Sequence, residues 1–62
     1  MSARLAAIDS LNMAIRGLEL QKLREEGLPP DLETELQALR EQKDLYSSMS
    51  DQKFDSLRHG AN

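Results

Sequence analysis

Between Ser2 and Glu26 the apolar residues recur at helical intervals, with Ile8, Leu11, Ile15 and Leu18 on one narrow seam and Leu5 and Leu23 beside it. Successive helical positions advance about 100°, so this 3-4-3 spacing keeps one face apolar, with β-branched Ile at a and Leu at d. Ser2 supplies the N-cap oxygen. The pattern predicts a first helix over about 2–26. Met13 and Leu20 lie on a different side, more than about 100° from that seam. Ala3, Ala6, Ala7, Ser10, Ala14 and Gly17 leave much of the remaining surface small. Either alanine is present as the best helix former and the two large residues are exposed, or the helix is packed on two sides. Gly17 favours the second reading, because a mid-helix glycine costs about 0.5–1 kcal/mol relative to alanine.

Gly27-Leu28-Pro29-Pro30-Asp31 interrupts the pattern. Glycine suits the left-handed C′ position after a helix, with Leu28 at C″ expected to fold back onto Leu23. Pro29 cannot continue the helix, whereas Pro30 has its φ already set for the first turn of the next. Asp31 places negative charge at the positive end of that second helix. The turn therefore occupies 27–30 and the second helix starts at 30.

Leu32, Leu36, Leu39, Tyr46 and Met49 share a face of the second segment, which Phe54 and Leu57 extend if the helix continues. Lys43, Ser50 and Lys53 make its C-terminal half wetter. Ser47-Ser48-Met49-Ser50-Asp51 is weak helix, and Ser48 with Asp51 approximates a capping box that would start a short third helix at 49–58. The second helix thus runs either to about 47 or on to 58. Arg58 and His59 suit a helix C-terminus, Gly60 suits C′, and a tail at 60–62 should fray.

Length changes the picture most. Sixty-two residues make one domain, 1–62, near the size at which a single core barely sustains itself. The expected fold is all-α: an antiparallel two-helix hairpin with a core of Ile8, Leu11, Ile15, Leu18, Leu32, Leu36, Leu39 and Tyr46. A lone hairpin has no second layer, so completion as a four-helix bundle, by dimerisation or by docking on a partner, is expected. Met13, Gly17 and Leu20 on the first helix, with Met49, Phe54 and Leu57 at the wet end of the second, are the expected interface residues.

Charge narrows the partner class. The net −3 arises wholly after residue 28, where four bases face seven acids. Arg4, Arg16, Lys22 and Arg24 scatter around the first helix, so nucleic acid is not the expected partner. Asp31, Glu33 and Glu35, near Glu25 and Glu26, read as helix-dipole acids rather than a calcium loop, which needs oxygens spaced around a glycine turn. With no cysteine there is neither a disulfide nor a thiolate metal site. His59 has Ser56, not Glu, three residues before it, so a Glu-x-x-His metal motif is missing. One terminal histidine beside six serines gives no nucleophile–base pair, and three dispersed glycines make no phosphate-cradling loop. Tyr46-Ser-Ser-Met49 outlines a phosphotyrosine motif, but both large residues lie on the apolar stripe and read as core. No catalytic residue, metal or cofactor is expected. The N-terminus has neither the basic start nor the apolar run of a signal peptide, so a cytoplasmic protein is expected, with signal-less export or incorporation into an assembly left open.

In layout, a two-helix hairpin dimer of this size resembles the plasmid RNA-binding repressors of the Rop family. Pro30-Asp31, Gln37 and Leu45-Tyr46 also resemble the turn and second helix of type III secretion needle subunits and chaperones. Neither resemblance reaches beyond layout, and no function is carried over from it. The expected role is a non-enzymatic protein–protein interaction module: a small regulator, assembly factor or chaperone-like subunit. Alternatives are a structural subunit of a virion or secretion assembly and an RNA-binding hairpin dimer.

Overall fold

The computed structural model describes residues 2–59, and these are helical without strands. Helix α1 spans Ala3–Arg24, α2 spans Pro30–Ser48 and α3 spans Asp51–Arg58. Gly60 and the tail at 60–62 lie outside the described residues.

Each helix begins as local chemistry dictates. The Ser2 hydroxyl accepts the Leu5 amide at 3.1 Å, an N-cap with extended backbone. Pro30 is the first residue of α2, with Asp31 and Glu33 in the opening turn against the positive end of the helix. Ser50 caps α3, its hydroxyl accepting the Lys53 amide at 3.1 Å. This corrects the sequence expectation that Ser48 would do so. The Ser48 hydroxyl is engaged elsewhere, donating to the Leu45 carbonyl at 3.0 Å as α2 ends. Met49 and Ser50 are both extended, so the second helix breaks rather than running on to 58.

The first turn also departs from expectation by one residue. Glu26, not Gly27, occupies the left-handed C′ position with φ 56°, and Gly27 follows at φ 139°. The Gly27 amide donates to the Lys22 carbonyl at 2.8 Å, the outer hydrogen bond of a Schellman motif. The hydrophobic contact that often accompanies this motif joins C″ to C3, which here are Gly27 and Lys22. It therefore cannot form, and Leu23 stays 77% exposed instead of packing under Leu28. A left-handed conformation costs a β-carbon-bearing residue about 1 kcal/mol or more. Glu26→Gly is accordingly expected to stabilise the chain by about 0.5–1 kcal/mol, seen as a Tm a few degrees higher; an unchanged or lower Tm would contradict this C′ assignment.

Three ion pairs fix the direction of the hairpin. Lys22 meets Glu33 at 3.1 Å, Glu19 meets Arg40, and Arg4 meets Asp51 at 2.8 Å. Falling numbers on α1 match rising numbers beyond the turn, so α1 and α2 run antiparallel and α3 returns to the start of α1. All three pairs are partly exposed and set register more than stability. At the far end Tyr46 and Phe54 pack edge to face, 5.0 Å between centroids with the rings at 85°.

The interior is sparse. Among the described residues, the buried apolar side chains are Ile15, Leu36 and Phe54, one from each helix. The radius of gyration is 13.8 Å and the extents are 42 × 24 × 16 Å. A compact chain of this length would have a radius near about 10.5 Å. The molecule is a thin slab, one hairpin with a short third helix folded against its open end.

Candidate interaction surface

The slab presents apolar residues on both sides of its thin core. On α1, Met13 is 76% exposed and Leu20 and Gly17 are also exposed, all on the face turned away from α2. Ala6, Ser10 and Ala14 are exposed as well. Gly17 has open space around it: a β-carbon placed there would meet nothing within 4 Å. The conformational cost of glycine in mid-helix, about 1 kcal/mol relative to alanine, thus has no packing reason within this chain.

The far end of the molecule forms a second apolar feature. Gln42, Leu45, Tyr46, Phe54, Leu57 and Arg58 line a groove between α2 and α3. Leu45 and Leu57 are exposed there, Met49 is half-buried, and Phe54 is buried at 7%. Phe54, read from the sequence as an interface residue, is therefore a core residue of this chain. Breaking the helix after Ser48 swings α3 back and brings the Phe54 ring against Tyr46 rather than toward solvent. Leu45 stands apart from the apolar stripe because no other large apolar residue of α2 shares its face. It becomes part of an apolar surface through Leu57, which only the fold-back of α3 supplies.

Of the expected hairpin core, Ile15 and Leu36 are buried, while Ile8, Leu11, Leu18, Leu32, Leu39 and Tyr46 are half-buried. The seam faces inward as its spacing requires, yet one opposing helix cannot cover it. Leu5, placed beside the seam from the sequence, is exposed.

Arg4 ties the corner together. Its Nε donates to Asp51 Oδ1 at 2.8 Å and its Nη1 donates to the Tyr46 carbonyl at 3.1 Å. One guanidinium thus joins the end of α2 to the start of α3. The Arg4 hydrogen bond, and secondarily that of the Ser2 hydroxyl, holds the Asp51 carboxyl below its ordinary value of 3.8. A depressed carboxyl contributes stability above its unfolded pKa and loses it as pH falls through the folded one. Docking of α3 is therefore expected to be constant at neutral pH and to weaken below about pH 4. Methyl shifts of Leu57 followed from pH 6 to pH 2 should move in that acid window; movement centred near pH 6 would contradict it.

Between α1 and α2 a polar groove gathers Arg16, Arg40 and Lys43 beside Glu19 and Asp44. Arg40 is committed to Glu19, so the groove is of mixed charge rather than a phosphate-binding surface. No group of three or more histidine, cysteine or acidic side chains among the described residues is arranged to hold a metal ion. None of their helices is long and apolar enough to cross a membrane. Compared with known protein families, curated proteins and solved structures, the chain finds no match.

Proposed function

We propose that this chain is a non-enzymatic protein–protein interaction module, a small regulator, assembly factor or chaperone-like subunit that works by packing a helix face against another protein. The observation that supports this reading is the inverted apolar balance. Among the described residues three large apolar side chains are buried, whereas Leu5, Met13, Leu20, Leu23, Leu45 and Leu57 are about half exposed or more. Single exposed leucines are ordinary on a protein surface, but here they outnumber the core. A helix face of this kind contributes binding energy when a second apolar surface covers it.

Urea unfolding of the chain at low micromolar concentration tests the proposal. The expected stability is below about 5 kcal/mol, since a core this small rarely supplies more than about 3–5 kcal/mol. A concentration-independent value inside the range of about 5–15 kcal/mol typical of self-sufficient domains would overturn it.

A further inference from the structure

We infer that the partner of the outer face of α1 is a second copy of the chain, with the two α1 helices antiparallel about a two-fold axis between Leu11 and Asn12. The inference rests on the interaction reading above and names its occupant. The outer face of α1 carries its own 3-4 repeat, Ala3, Ala6, Ser10, Met13, Gly17 and Leu20, separate from the seam that packs on α2. From Ala6 to Leu20 these positions are exposed.

The repeat is complementary to itself in one direction and register. With the axis between residues 11 and 12, Met13 of one copy lies opposite Ser10 of the other, Leu20 opposite Ala3, and Ala6 opposite Gly17. Every large side chain then meets a small one, as interdigitated packing requires. Asp9 and Arg16 occupy the flanking g positions of this repeat. In antiparallel pairing g meets g, so Asp9 of each copy stands beside Arg16 of the other, twice per dimer. Neither residue makes an ion pair with another described residue in its own chain, Arg16 standing at the border between this face and the polar groove beside α2. Shifting the register by one heptad instead sets Arg16 against Arg16. Parallel pairing stacks Met13 on Met13 and Gly17 on Gly17, leaving both charges without opposites.

Surface area points the same way. The chain exposes 4717 Å², where a folded monomer of 7.0 kDa should expose about 4,000 Å². The excess is surface that a thin slab leaves open, and the outer face of α1 is part of it. Gly17 also gains its reason: opposite Ala6 of the second copy it lets the two backbones approach.

Charge-reversed variants mixed in solution test the inference. Asp9→Arg makes both flanking pairs Arg–Arg, and Arg16→Asp makes both Asp–Asp. Each variant alone is expected to dimerise about tenfold or more weakly than the parent. An equimolar mixture should form a heterodimer of parental affinity, because every Arg then faces an Asp across the interface. Gly17→Leu, whose β-carbon meets nothing within 4 Å in its own chain, should weaken dimerisation at least about tenfold while helicity holds or rises. Parental affinity of the single variants, or a mixture no tighter than they are, would overturn the inference. A marginally stable parent that stays monomeric would overturn self-pairing yet leave the interaction reading standing. A strongly stable monomer would remove both.

Discussion

Leu36→Ala is expected to abolish the fold of the dilute chain. Leu36 is 1% exposed, the most deeply buried of the large side chains, and sits where α2 packs on α1. Truncating a buried leucine costs about 2–5 kcal/mol, the lost transfer energy plus the cavity left behind. Larger domains absorb such a loss. A core of this size offers about 3–5 kcal/mol at most, so the substitution removes most or all of the margin. Far-ultraviolet circular dichroism at low micromolar concentration should show the helical signal largely lost. Retention of parental helicity with a cooperative transition would mean that Leu36 is not the centre of the hairpin.

Phe54→Ala is expected to produce a different failure, confined to one end. Phe54 is the buried residue of α3 and the ring that packs on Tyr46. Eight residues are too few to stay helical in water without tertiary contacts. Loss of a buried phenylalanine typically costs about 3–5 kcal/mol, but here α3 can detach before the α1–α2 pairing does. Amide exchange should therefore show protection lost from Asp51 onward, with the amides of α1 and α2 still protected near Ile15 and Leu36. Uniform loss across all three helices would show instead that α3 and the hairpin form one cooperative unit. The Arg4–Asp51 pair is expected not to rescue α3, since a partly exposed pair contributes little.

The two predictions separate what the sequence made legible from what it did not. Leu36 was identifiable from periodicity, because the inward face of a single helix depends on spacing alone. The hairpin itself followed from Pro29-Pro30-Asp31, where missing amides and a preset φ leave the chain few alternatives. Phe54 was misplaced because its burial depends on where one helix stops. The choice between a continuous and a broken helix at Ser47–Ser50 rests on small competing preferences of serine for backbone and solvent, which periodicity does not weigh. The placement of Glu26 at C′ has a similar origin. A glycine one residue later made the alternative frame attractive, and the frame adopted is the one that a local left-handed cost of about 1 kcal/mol at Glu26 disfavours. Leu45 was missed because it lies off the apolar stripe of α2 and meets Leu57 only through the fold-back of α3.

For the outer face of α1 the situation is reversed. Its repeat is plain in the sequence, but the absence of any neighbour at Gly17 and the exposure of Met13 and Leu20 are properties of the folded chain. Together they turn a small-residue pattern into a surface that one chain leaves uncovered. The same thinness that exposes this surface explains why the hairpin core is half-buried: one opposing helix covers one side of α1 and leaves the other open.

Sedimentation equilibrium from micromolar to millimolar concentration, with helicity recorded on the same samples, tests this most directly. The mass should pass from 7.0 kDa to twice that value, with helicity rising in step as the outer face of α1 is covered. A fully helical species of one-chain mass at every concentration would contradict it.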